Sequence, residues 1–218
     1  PVHAHRGLPT ACDEALRTAV AQRLAQWPVQ ALHDPRHVRA AVALAITDRG
    51  SLAGIVRAHE AAKATGVRLI VGCRLDLTDG ASILVYPADR PAYARLCRLL
   101  SLGKKRGGKA RCLLHGEDVA LYAEGLIAVL VPDEPDASCA AQLRRLADTF
   151  GSRAHLALTL RRRPRDQLRL PELAAMAAQA GVCTIVTNDV LFHVPARRLL
   201  QDVVTCIRHG CRDRKSVV

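Results

Sequence analysis

A layered α/β chain is what this sequence predicts, on three observations. Short apolar runs alternate with longer amphipathic ones from Ala41 onward, as in repeated βαβ units. Most of the apolar runs lack a polar alternation, which fits strands covered on both faces in a parallel sheet or barrel. Glycines stand just past amphipathic runs, where short αβ turns need them. The pattern alone does not separate a barrel from an open doubly wound sheet.

Strands are predicted at Val42–Thr47, Val67–Val71, Ile83–Tyr86, Leu126–Val131, His155–Leu160 and Cys183–Thr187. Helices are predicted at Leu52–Ala64, Arg90–Leu102, Asp136–Phe150, Pro171–Ala180 and Arg197–His209. Ser51 is placed to cap the first helix, Gly66 and Gly181 to close two others, and Pro171 to open a first turn, where its missing N–H costs nothing. Between helix and strand, Gly103-Lys104-Lys105-Arg106-Gly107-Gly108-Lys109 reads as a mobile basic loop able to touch a phosphate backbone. A solvated surface turn is the alternative reading of that run.

Three segments divide the 218 residues. Residues 41–210 carry the α/β pattern. Residues 1–40, rich in Ala, Arg, Pro and His, show one helix around Glu14–Gln26 and no buried strand. Residues 211–218 form a tail. Pro1 stands where an initiating Met would, so the sequence is expected to be a fragment or a processed chain.

Half of the residues are hydrophobic and 24% charged, which excludes a disordered or collagen-like chain. No run approaches the roughly 20 apolar residues of a membrane span, and Pro1–Arg6 does not open a signal peptide. A cytoplasmic chain without membrane partners is expected. Lys and Arg outnumber Asp and Glu by 32 to 20, a net charge of +12. That balance favours phosphate-rich partners, although arginine excess also arises from coding bias. The 8 cysteines include no C-x-x-C pair and sit mostly in apolar runs, so they read as buried thiols and not as zinc ligands. No phosphate loop, nucleophile elbow or dinucleotide fingerprint is present.

Several stretches resemble, in order, the PHP domain of bacterial C-family DNA polymerases, error-prone branch. They are Ala43–Gly54 with Ile55–His59, Leu69–Leu75, Asp89–Leu100, Gly125–Leu130, Thr187–His193 and Leu200–Arg208. The resemblance implies a distorted seven-stranded β/α barrel, a (β/α)7 PHP-type fold, and the lost spacing of its opening motif leads us to expect an incomplete N-terminal part here. It also implies a parent enzyme, a DNA-directed DNA polymerase that copies damaged templates. Its palm, with Mg, lies downstream of the PHP domain. Implied partners are DNA, the other polymerase domains and accessory proteins of the DNA-damage response.

Active PHP domains hold divalent metals through His, Asp and Glu at the C-terminal ends of their strands. A cluster of cations about 4 Å apart needs many anionic or imidazole ligands. By resemblance, Asp48 and Asp189 stand at carboxylate positions, with His193 nearby as a further residual candidate. Arg49, Arg74, Thr159 and Arg161 stand where ligands are replaced. An arginine carries a fixed positive charge and no lone pair, so it never ligates a metal. The opening H-x-H motif is matched only by His3-Ala4-His5, about forty residues before Asp48 instead of roughly thirty.

Three functions remain in view. The first is a metal-free structural or interaction domain, with no cofactor of its own, whose arginines bridge Asp48 and Asp189. The second is a phosphoesterase or 3'-5' exonuclease using Mn or Zn at Asp48, Asp189 and His193. The third is a basic nucleic-acid-binding module working through Lys104, Lys105, Arg106 and Lys109.

Overall fold

A computed structural model gives the structure and describes residues 43–109, 111–160, 165–187 and 195–212. In chain order the elements are β1 (Ala43–Arg49), α1 (Ile55–Thr65), β2 (Arg68–Asp76), β3 (Ser82–Pro87), α2 (Arg90–Gly107), α3 (Gly116–Leu121) and β4 (Leu126–Leu130). Then come α4 (Ala137–Phe150), β5 (Ala154–Thr159), α5 (Asp166–Gln179), β6 (Cys183–Thr187) and α6 (Arg198–His209). Segments 1–40 and most of 211–218 lie outside the described residues.

The six strands form one sheet in chain order, β1 to β6. β1 pairs parallel with β2, and β4, β5 and β6 pair parallel in turn. β3 alone runs the other way, antiparallel to both neighbours. The sheet curls into a half-barrel, and the C-terminal ends of the five co-directional strands gather on one rim.

Both faces are covered, as the apolar runs require. Leu75, Ile83 and Val85 on one face pack with Leu96 of α2, Leu143 of α4 and Leu173 of α5. Leu84, Tyr86, Val129, Ala157 and Ile185 form a second buried cluster on the opposite face, since neighbouring residues of a strand point to opposite faces. Local signals fix several helix starts. Asp89 accepts a hydrogen bond from the Ala92 amide and Asp136 from the Cys139 amide, both at 2.7 Å, leaving fewer orphan donors in the first turns. Gly66, at φ 71°, closes α1 in the left-handed region, as predicted.

Four expectations need correction. Ser51 does not cap α1. Its hydroxyl accepts from the Ala53 amide, and Gly54 takes the cap position. Pro171 lies inside α5, which begins at Asp166. The Asp166 and Arg169 side chains are buried and anchor the extra turn, and the proline costs only the bond that Gln167 would accept. Gly103–Gly107 is no loop but the last stretch of α2. Gly103 is needed there because a Cβ would stand 2.6 Å from the Cys112 sulfur and 2.8 Å from Leu114 Cγ. The six-residue helix α3 was not predicted, being too short for a periodic signal.

Candidate site at the strand ends

Register brings the arginines of the rim together. Arg49 at the end of β1 stands beside Arg74 of β2. Asp76, two residues on, faces Ser82 of β3. Arg49 Nη1 donates to Asp76 Oδ2 at 2.5 Å. Arg74 Nε donates to Ser82 Oγ at 2.8 Å and reaches Asp76 Oδ1 at 3.4 Å. The Ser82 hydroxyl donates to that same Oδ1 at 2.7 Å. Burial pushes the Asp76 carboxyl up, but the Ser82 hydroxyl and the two guanidiniums outweigh it, and its pKa lies below the ordinary value. The ties are an ion-pair network around a carboxylate that sequence reading did not single out.

Asp48 sits one residue before Arg49, and one residue in a strand flips the face. It pairs in register with Cys73, which belongs to the helix-side core, and its Oδ2 accepts from the Gly54 amide at 2.7 Å. Its carboxylate thus serves the start of α1, a fixed partner that no metal is required to supply. Gly54 is selected by this contact, since a Cβ there would lie 2.5 Å from Asp48 Oδ2. The expected bridge from the arginines to Asp48 is therefore replaced by a bridge to Asp76.

Across the rim, Thr159 and Thr187 are paired in register and share a hydroxyl hydrogen bond of 2.5 Å. Both are buried. Beneath them Arg169 of α5, 2% exposed, donates from Nε to the Asp133 carbonyl at 2.8 Å and from Nη1 to the Thr159 carbonyl at 3.2 Å. A buried guanidinium thus ties the segment after β4 to the end of β5. Only its place in a helix beside Pro171 hinted at it, and that helix start was misread.

Asp189, His193 and Arg161, with His3 and His5, lie outside the described residues. Among the described residues no three His, Cys, Asp or Glu side chains group as metal ligands. Among the described residues, the rim carboxylates are one held between two guanidiniums and one turned to a helix start, which by themselves do not make a divalent cluster. Seven cysteines are described, none of them in a disulfide. Burial raises the thiol pKa of Cys73 to about 12 and of Cys139 to about 11, which keeps both as inert core thiols.

The predicted basic residues share a helix end. Lys104, Lys105 and Arg106 form the last turn of α2 and Lys109 follows it, all exposed. Arg106 is bound to the Asp118 carboxylate of α3, whose Oδ2 also accepts from the His115 amide at 2.9 Å. That side chain joins two helices, which leaves the three lysines facing solvent.

The half-barrel, with the C-terminal ends of its co-directional strands on one rim, places the chain in a class of folds, the α/β barrels. The PHP domain profile matches residues 38–183: the chain belongs to the PHP domain family. The error-prone DNA polymerase 2 of Rhizobium meliloti is 68% identical over 168 residues, covering 77% of this chain and 16% of that protein. The error-prone DNA polymerase of Caulobacter vibrioides is 44% identical over 171 residues, with 78% and 16% covered. The chain thus spans about a sixth of the length of these curated relatives. Among solved structures, a putative metal-dependent phosphoesterase from Bifidobacterium adolescentis aligns with a TM-score of 0.55 at 13% identity, over 76% of this chain and 82% of that one. An amidohydrolase from Chromobacterium violaceum, with bound sulfate and no metal, aligns at 0.51 and 17%, over 83% and 86%. These two likenesses speak for the fold alone.

Proposed function

We propose that this chain is the N-terminal PHP portion of an error-prone DNA polymerase active in damage-induced translesion synthesis, and that this portion is a metal-free structural and contact domain. The reading rests most on one observation: Arg49 and Arg74 converge on Asp76 at the strand ends where metal-binding barrels gather ligands. The identity to error-prone polymerases supports the parent activity. DNA, the remaining polymerase domains and damage-response proteins are the partners of that parent, and Mg belongs to its palm.

Two measurements test the reading. The full protein encoded by the flanking coding sequence is expected to extend a primer past an abasic template position, and failure to extend any primer would remove the polymerase assignment. The present chain is expected not to cleave single-stranded DNA or bis(p-nitrophenyl) phosphate when Mn²⁺ is added, an ion able to serve a two-metal phosphoesterase site. Mn²⁺-dependent cleavage that disappears in Asp189→Ala would establish the phosphoesterase alternative instead.

A further inference from the structure

On the helix-covered face, beside the ends of β2 and β4, α3 and α4 part over β3 and β4 and leave a cleft of about 540 Å³. Its floor is apolar: Leu77, Ile83, Val119, Leu130, Leu146 and Phe150. Five of these are themselves buried, Leu77 being half-buried, so the walls are core side chains that lack neighbours on one side. The volume falls in the range of ordinary ligand sites, roughly 300 to 1,000 Å³.

The rim has the opposite sign to the molecule. Asp79, Glu117 and Asp148 surround the mouth, with Arg145 the one Lys or Arg side chain lining it. Arg145 leans on Asp79 at 3.6 Å. Glu117 and Asp148 are exposed and pair with no cation among the described residues. Around an apolar hole in a chain of net charge +12, two open carboxylates repel phosphate and attract ammonium or guanidinium groups. Nucleic acid and anionic lipid are disfavoured by the same charges. A groove between two helices with an apolar floor suits side chains projecting from one face of an amphipathic segment.

We propose that the cleft between α3 and α4 seats a short amphipathic peptide segment of a partner protein, whose apolar side chains enter it while neighbouring Lys or Arg side chains meet Glu117 and Asp148. The proposal does not rest on the polymerase reading. Fluorescence anisotropy with the whole 218-residue chain tests it, using two labelled helical probes: a Leu/Lys amphipathic peptide and its Leu/Glu counterpart. Non-specific attraction to a basic protein favours the Leu/Glu peptide, whereas the cleft favours Leu/Lys. The expected result is saturable Leu/Lys binding at least tenfold tighter than Leu/Glu. That preference is lost in Glu117→Lys/Asp148→Lys, and binding is blocked by Ala120→Trp, which places an indole in the cleft from its exposed α3 edge. Thermal melts verify that both variants stay folded. Equal or reversed peptide preference overturns the proposal, as does Leu/Lys binding that survives both folded variants.

Discussion

At the scale of single residues, the rim is decided by which groups hold Asp76. Arg74 is mostly buried, its side chain 12% exposed, and its Nε serves both Ser82 and Asp76. Arg74→Ala is expected to cost about 1.5 to 3 kcal/mol in urea unfolding, the usual worth of hydrogen bonds to charged groups. Arg74→Lys should recover little, because an ammonium lacks the planar fork. The Asp76 carboxyl titrates below its ordinary value, so its contribution is present above the unfolded carboxylate pKa and is lost as pH falls through the folded one. His155 adds a second acid-sensitive term at higher pH. It is 2% exposed, its Nδ1 has no hydrogen-bond partner, and burial lowers its pKa. The unfolded chain therefore binds the proton more readily, and stability declines as pH drops below about 6.5, the unfolded histidine value. The expected outcome is a melting temperature that falls between pH 7.5 and 5.5 and a visibly flatter profile in His155→Leu. Equal pH slopes in both proteins would remove His155 as the cause.

Among the elements, the end of α2 shows how packing overrides a local signal. A Gly-Lys-Lys-Arg-Gly-Gly run reads as a loop by propensity, yet the helix continues to Gly107 because Gly103 lets Cys112 and Leu114 approach. Gly103→Ala is expected to destabilise by about 1 to 3 kcal/mol through overpacking, although alanine is the better helix former. An alanine variant as stable as its parent would show that the neighbours yield freely. The correction also changes the expected DNA contact. Arg106 is held by Asp118, so of the predicted basic residues Lys104, Lys105 and Lys109 remain to neutralise phosphates, their share of the salt slope being about −2.7 on duplex DNA at ~0.9 per phosphate. Replacing the three lysines with alanine should flatten the measured slope by that amount, while Arg106→Ala should act mainly on stability. What was legible here follows a physical division. β6 was read to the residue and four other strands within about two residues of each end, because apolar runs report burial directly. β2 runs on from Val71 to Asp76, where Gly72 and Arg74 interrupt the apolar signal. Strand direction leaves no trace in composition, so the reversal of β3 was invisible. So was Asp76 as the partner of the arginines, since which carboxylate shares their face depends on register across two strand pairs.

For the whole molecule, the half-barrel is the outcome of six strands adding in chain order, and the resemblance supplied what the alternating pattern left open, a barrel over an open sheet. Metals in a barrel of this kind act on global stability, because a ligand that binds the folded state alone stabilises it by RT ln(1 + [L]/Kd). A site with Kd near 10 μM would contribute about 2.7 kcal/mol at 1 mM Mn²⁺, and for a chain of this size each kcal/mol moves the midpoint by about 2 to 4 °C. A working cluster would therefore raise the melting temperature by roughly 5 to 10 °C on adding Mn²⁺, and EDTA would reverse it. Here the guanidiniums of Arg49 and Arg74 already compensate Asp76, and Asp48 is taken by the Gly54 amide. A cation entering this rim would have to displace two fixed positive charges. The expected outcome is a midpoint that stays within about 1 °C in 1 mM Mn²⁺ and in EDTA, well under the shift of a bound site. A separate scan of Arg49→Ala/Arg74→Ala should be lower in midpoint and equally indifferent to metal. Manganese stabilisation of several degrees in the unaltered chain, reversed by EDTA, would mean that Asp189 and His193 complete a ligand set the arginines do not block.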